Sequence, residues 1–155
     1  MPKHKTRILL AIDDSKYSEN ALRTFIAERV PALTAVRVLH AVEPVELPFY
    51  PELTAPFPVS FSDIEKKRRE EGRKLVDRAV ARLRAAGFDA DGVVRSGPVR
   101  TEVVETARKW RAELIMLGSH GRKGLARIML GSVSDYVAHH AHCSVQIVRL
   151  RRMTK

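Results

Sequence analysis

Apolar residues along the chain fall either into short unbroken runs or into stretches with helical spacing. Arg7 to Ile12 (RILLAI) is such a run, and its length and flanks predict a strand buried on both faces. Asp13-Asp14-Ser15 follows as a turn, where Ser15 or Ser18 can cap the next helix by accepting orphan backbone N–H groups. Ala21, Leu22, Phe25, Ile26 and Val30 then recur on one helical face, and Pro31 marks the end of that helix. Ala35 to Val42 (AVRVLHAV) predicts the second strand.

Residues 43–61 break this rhythm. Five of the chain's eight prolines and four aromatics (Phe49, Tyr50, Phe57, Phe61) fall here, which predicts a long loop, since proline removes ladder donors and blocks helix interiors. Loops this long in compact domains serve as lids or binding segments or lack order. Ser62-Asp63-Ile64-Glu65 has the form of a capping box, so a long helix is expected to start there. Leu75, Val76, Ala79, Val80 and Leu83 supply its buried stripe, and Gly87 ends it. Phe88 to Ser96 gives a weak third strand. Pro98 is placed at a first helical position, and Val99, Val103, Ala107 and Trp110 line the inner face of that helix. Glu113 to Leu117 predicts the fourth strand, Ser132 to Ala141 a further helix, and Ser144 to Leu150 a final strand. Strands alternating with helices imply an α/β fold, an open parallel sheet with helices on both faces and right-handed crossovers. At 155 residues, with no internal repeat, residues 1–155 are expected to form one domain.

Composition narrows the function. Cys143 is the only cysteine, so an intramolecular disulfide is impossible and a reducing cytoplasm is expected. No apolar run approaches the ~20 residues of a membrane span, and Ile8 to Ile12 is too brief for a signal-peptide core, so no membrane partner is expected. The net charge is +10 and the pI near 10.3, a field that attracts nucleotides, nucleic acid and acidic lipid without choosing among them. Lys66-Lys67-Arg68-Arg69 is interleaved with acids. Glu65 with Arg69 and Glu70 with Lys74 have the i,i+4 spacing of a solvated helix face. The head (Lys3, Lys5, Arg7) and tail (Arg149, Arg151, Arg152, Lys155) add basic charge.

Open parallel sheets bind ligands beyond the carboxyl ends of their strands, where strand order reverses. Asp13 lies at the end of the first strand and Ala41 near the end of the second. Leu117 runs directly into Gly118-Ser119-His120-Gly121-Arg122-Lys123-Gly124. The glycines let the backbone take positive φ and approach a ligand, and successive amides form an anion-binding concavity. Gly131-Ser132 opens a helix whose free N–H groups suit phosphate, and Arg122, Lys123 and Arg127 raise the local positive potential. An ordinary strand-to-helix turn is the competing reading of these glycines. No G-x-x-x-x-G-K-[ST], no G-x-G-x-x-G after the first strand and no G-x-S-x-G elbow is present. That disfavours a Walker-type NTPase, a dinucleotide fold and an α/β-hydrolase.

Gly118-x2-Gly121-x9-Gly131-Ser132 resembles the G-2x-G-9x-G-[S/T] motif of the universal stress protein (UspA) family, in its nucleotide-binding branch. Asp13-Asp14-Ser15 resembles that family's D-x-S turn, Leu39 to Val42 its second-strand ending and Cys143 to Val148 its terminal strand. The resemblance covers nearly the whole chain. It implies a Rossmann-like, five-stranded parallel sheet of order 3-2-1-4-5 and an ATP site. Asp13 would lie near the ribose and its Mg²⁺, and Ala11, Ile12 and Ala41 would line the adenine pocket. Gly118, Gly121, Gly131, Ser132, Val133 and Ser134 would hold ribose and phosphates through backbone and hydroxyl groups, and Leu117 and His120 are expected to complete the binding site. It also implies a homodimer through strand 144–150. Ala11 stands where a bulkier residue or proline is often found in the family, and the proline-rich loop is unusually long.

Each residue keeps a plainer reading. Asp13 also reads as a turn former, His120 as an exposed loop histidine, and Cys143 as a small buried residue rather than a nucleophile. His139, His140, His142 and Cys143 lack the paired spacing of structural zinc sites. No general base, water-positioning glutamine or arginine finger is evident. The expected protein is a nucleotide-dependent regulatory switch binding ATP, ADP or AMP, with at most slow hydrolysis. Three alternatives remain open at this point: a family branch acting through protein contacts alone, a phosphotransferase, and a basic nucleic-acid binder. The last lacks an RNA-stacking or helix-turn-helix signature.

Overall fold

The computed structural model describes residues 4–46, 60–121 and 129–151. Five parallel strands form one sheet: β1 (Thr6–Ala11), β2 (Thr34–Val42), β3 (Asp89–Ser96), β4 (Leu114–Gly118) and β5 (Ser144–Val148). The helices are α1 (Lys16–Glu28), α2 (Phe61–Ala85), α3 (Val99–Trp110) and α4 (Ser132–His140). The strand order is β3-β2-β1-β4-β5, the order the resemblance implied. Central β1 pairs on both sides, with Ile8 opposite Val36 of β2 and Leu114 of β4.

The unbroken apolar runs are the strands buried on both faces. Alternate residues of β1 feed different layers. Ile8 and Leu10 pack with Phe25 of α1 and Val76 and Leu83 of α2. Leu9 turns the other way, toward Val103 and Ala107 of α3 and Val137 of α4. Leu9, Leu10 and Phe25 are each 0% exposed. Burying a side chain of this size contributes about 1.5–3 kcal/mol, which offsets part of the entropy lost in ordering the chain.

Several boundaries differ from the sequence expectation, each for a local reason. Strand β1 ends at Ala11, although the Ile12 amide still donates to the Leu39 carbonyl at 2.9 Å. Ser15, not Ser18, caps α1, accepting from the Ser18 amide. Pro31 opens a short 3-10 turn (Pro31–Leu33) rather than closing α1 directly. Helix α2 starts at Phe61, which therefore leaves the expected loop, and Ser60 is its N-cap. The capping box does not form, because the Ser62 hydroxyl bonds the Ser60 hydroxyl at 2.6 Å. Pro98 is the N-cap of α3 rather than its first turn, its carbonyl accepting from the Glu102 amide at 2.9 Å. Ala141 is the C-cap of α4, and β5 ends at Val148 rather than at Leu150.

Gly87 ends α2 as expected, at φ 92°. Its amide donates to the Arg84 carbonyl and that of Phe88 to the Leu83 carbonyl, the paired bonds of a Schellman ending. That turn brings Phe88 onto Phe25, with ring centroids 5.1 Å apart. The ion pair along α2 among the described residues is Arg73–Asp77 at 3.2 Å, not Glu65–Arg69 or Glu70–Lys74. Arg69 instead reaches the Ser96 hydroxyl.

Candidate functional site

The order β3-β2-β1-β4-β5 reverses between β1 and β4, so the crevice beyond their carboxyl ends is where ligand is expected. The first wall is the turn after β1. One oxygen of Asp13, Oδ1, accepts from the Ser15 amide (2.9 Å) and the Ser18 hydroxyl (2.9 Å), while the Asp13 amide donates to that same hydroxyl (2.8 Å). These bonds fix the turn at the start of α1. They leave Oδ2 without a hydrogen bond among the described residues. A Cβ on Gly121 would stand 2.9 Å from Oδ2, so the close approach of the two segments requires glycine there.

The floor is tied down from β2. The His40 ring is buried, and its Nδ1–H donates to the Ile12 carbonyl at 2.9 Å. The ring edge lies where a Cβ of Gly72 on α2 would be, 2.7 Å from His40 Cδ2. A single histidine therefore links the end of β1 to β2 and to the helix above.

The far wall is built on Ser119. Its amide donates to the Val148 carbonyl (3.0 Å), and its own carbonyl accepts from the Gly131 amide (2.8 Å) and the Ser134 hydroxyl (3.0 Å). This changes the expected cradle in two respects. The Ser119 and Gly131 amides are already engaged by the protein's own carbonyls. In addition, Gly118, Gly121 and Gly131 do not adopt positive φ. Where their lack of a side chain matters, it is for close approach of chain to chain. The amides of His120, Gly121, Ser132, Val133 and Ser134 carry no hydrogen bond among the described residues. Three of these five form the first turn of α4, whose N-cap Gly131 has no side chain to satisfy them and whose positive dipole end favours anions.

All twelve residues expected from the sequence (Ala11, Ile12, Asp13, Ala41, Leu117, Gly118, His120, Gly121, Gly131, Ser132, Val133 and Ser134) line one cleft of about 1340 Å³. The structure adds a wall the sequence reading missed. Arg68, Glu71, Gly72, Leu75 and Arg78 of α2 border the same cleft, as do Ser18, Val99 and Met129. The α2 residues recur at helical spacing around an interior glycine, and that was the available signal. Arg122, Lys123, Gly124 and Arg127 lie outside the described residues, as does most of the proline-rich loop. The other histidines are used locally. The Nδ1–H groups of His139 and His140 donate to the carbonyls of Asp135 and Tyr136, and His140 stacks on Tyr136 at 3.9 Å. Cys143 is half-buried, and burial pushes its thiol pKa up, which suits a packing residue rather than a nucleophile.

The model of the universal stress protein family matches residues 5–149. The chain belongs to that family. Universal stress protein Sll1388 of Synechocystis is 33% identical to this family member over 149 residues, which span 92% of this chain and 97% of the relative. Among solved structures, UspA from Lactobacillus plantarum superposes with a TM-score of 0.79 over 94% of this chain and 99% of its own, at 20% identity. A universal stress protein family protein from Arabidopsis thaliana with AMP bound superposes at 0.67 (16% identity), covering 95% and 93% of the two chains. A universal stress protein in complex with cAMP superposes at 0.59 (21% identity), covering 95% and 98%. At these identities the structural likeness bears on the fold.

Proposed function

We propose that this universal stress protein binds ATP, or ADP or AMP in its place, and acts as a nucleotide-dependent regulatory switch in the cytoplasm. The observation that carries this reading is the group of five amides around one cleft that carry no hydrogen bond among the described residues, facing the Asp13 turn across the switch point of the sheet. Hydrogen bonds to charged groups contribute about 1.5–3 kcal/mol each. Adenine would lie against Ala11, Ile12 and Ala41, with the ribose near Asp13 and the phosphates on the segments 118–121 and 131–134. The AMP and cAMP complexes of two structural neighbours support a nucleotide as the ligand class.

The donor set fits Mg²⁺ arriving with the nucleotide. Mg²⁺ is held by one or two carboxylates together with substrate phosphates, and Asp13 Oδ2 is a carboxylate oxygen without a hydrogen bond among the described residues at the right end of the cleft. No group of three His, Cys, Asp or Glu able to hold an ion without the nucleotide occurs among the described residues. When bound, the cation would neutralise phosphate charge. The chain itself orients the nucleotide through its amides and holds Asp13 in place through Ser15 and Ser18. The reading includes a homodimer through β5, an edge strand paired only with β4 among the described residues.

Calorimetry with Mg·ATP on the wild type and on Gly121→Leu is the test. A leucine side chain at 121 is forced against Asp13, so binding is expected in the wild type and not in the variant. Absence of both heat and thermal stabilisation in the wild type at millimolar ATP overturns the proposal.

A further inference from the structure

Tyr17 has no assigned part in the cleft, yet its ring touches that of His120, which lines it. It lies two residues after the N-cap Ser15, in the first turn of α1. Its ring centroid is 5.1 Å from that of His120, with the planes tilted by 47°. Lys16 Nζ lies 5.4 Å from the Tyr17 centroid. Helix α1 comes this close because residue 118 is glycine. A Cβ there would stand 2.8 Å from the Tyr17 carbonyl carbon and from its Cβ. A glycine of the binding motif is thus required by the docking of Tyr17.

His120 is held from a second direction. Its Nδ1 lies 3.1 Å from the hydroxyl of Ser119, a buried residue anchored through its backbone to Val148 and Gly131. One ring contact and one ring nitrogen are therefore committed within the protein. Nε2 is left without a hydrogen bond among the described residues, on a side chain that lines the cleft.

We propose that Tyr17 is a positioning residue for anion capture, its ring holding the His120 imidazole so that Nε2 serves the ligand's phosphates. The proposal rests on the nucleotide reading above. An imidazole on a single rotatable stem explores several rotamers, and fixing it beforehand removes an ordering cost from binding. The contact is with the aromatic ring rather than the hydroxyl, so phenylalanine serves as well as tyrosine. Aromatic contacts of this kind correspond to about a two- to tenfold change in affinity.

The test is a double-mutant cycle on Mg·ATP affinity, with Tyr17→Phe, Tyr17→Leu, His120→Ala and the combined Tyr17→Leu/His120→Ala variant. Melting curves confirm that each variant is folded. Tyr17→Phe is expected to bind as the wild type does, and Tyr17→Leu about two- to tenfold more weakly. Once His120 is alanine, Tyr17→Leu should have no further effect, since coupled residues are non-additive. Full additivity, or a Tyr17→Phe variant as weak as Tyr17→Leu, overturns the proposal. In nucleotide-free protein, the His120 ring protons should show a ring-current shift by NMR that persists in Tyr17→Phe and vanishes in Tyr17→Leu. A wild type that binds no ATP defeats the nucleotide reading and this one together. A wild type that binds ATP no better than Tyr17→Leu defeats this one alone.

Discussion

The two carboxylate oxygens of Asp13 have different surroundings, and the difference can be tested. Oδ1 is bound by the Ser15 amide and the Ser18 hydroxyl, whereas Oδ2 faces Gly121 without a hydrogen bond among the described residues. An asparagine keeps an acceptor for the first pair and removes the negative charge from the second. Asp13→Asn should therefore leave the melting temperature almost unchanged while removing the Mg²⁺ dependence of ATP binding. An affinity loss of about tenfold, or ~1.4 kcal/mol, is expected. Titrations with and without Mg²⁺ read this directly. A variant that keeps the full Mg²⁺ effect places the cation elsewhere. Residue placement was legible where type and position coincided: Asp13, Ala41, Gly118 and Gly121 lie at the carboxyl ends of strands and Gly131 opens α4. It was less legible where the backbone decides. Nothing in the residue types at 119 and 131 shows that their amides are engaged internally.

At the scale of elements, the contact between Gly72 and His40 helps to set α2 on the sheet. Gly72 lies inside a 25-residue helix, where glycine costs about 1 kcal/mol relative to alanine. Propensity alone makes Gly72→Ala stabilising. The structure reverses that sign, because the new Cβ would stand 2.7 Å from His40 Cδ2, on a buried ring bonded to the Ile12 carbonyl. Overpacking costs about 1–3 kcal/mol, so a net loss is expected in urea unfolding; a gain would show that His40 yields easily. An exposed ion pair adds to the apolar packing between α1 and α2. Arg82 donates to both oxygens of Glu19 (2.9 and 2.8 Å), and chiefly through this bond the Glu19 carboxyl is held below the ordinary glutamate value. A lowered folded-state pKa gives stability that is present above the unfolded value and lost as pH falls through the folded one. With both partners 44% exposed, screening limits the contribution to a few tenths of a kcal/mol. Glu19→Gln should lower the urea midpoint slightly at neutral pH, and the gap from wild type should close below the ordinary glutamate range and shrink in salt. The elements themselves were readable from periodicity, since β1 and β4 are apolar runs, β2 is one interrupted by Arg37 and His40, and α1 buries Ala21, Leu22 and Phe25 on one face, although Val30 lies beyond the helix and is exposed. Two things were not. The lateral order of strands is a tertiary fact that spacing does not encode, and it came from the resemblance. The cleft wall of α2 was hidden because Arg68 and Glu71 read as members of a solvated face.

Across the whole molecule, the sheet has two edges, and they are not equivalent. On the β3 side, arginines of α2 reach back over the edge strand, Arg84 Nε donating to the Ala90 carbonyl at 2.9 Å and Arg69 to the Ser96 hydroxyl. Arg37 pairs with both oxygens of Asp91 there and lies 4.9 Å from the Trp110 centroid, so charge covers that end of the sheet. Charged side chains on an edge discourage pairing with another chain. The β5 edge is different. Its residues Ser144–Val148 include Val145 and Ile147 packed against the α3–α4 layer, and its central residue is the neutral Gln146. Gln146 accepts from Arg29 and donates to Glu28, so it is held beside a balanced pair of charges rather than carrying one. A second copy adding its own β5 would satisfy the free backbone groups of both strands around a two-fold axis, the closed arrangement common among homo-oligomers. Gln146→Lys adds a net positive charge beside Glu28 and Arg29, and in a two-fold pair it does so twice. Light scattering should therefore give a mass of two chains for the wild type and of one chain for Gln146→Lys. All twelve residues expected from the sequence line the cleft within one chain, so the monomeric variant should still bind Mg·ATP within about twofold of wild type, well under the tenfold that 1.4 kcal/mol represents. A variant that stays dimeric moves the interface away from β5, and one that turns monomeric and loses the nucleotide means that the second copy completes the site.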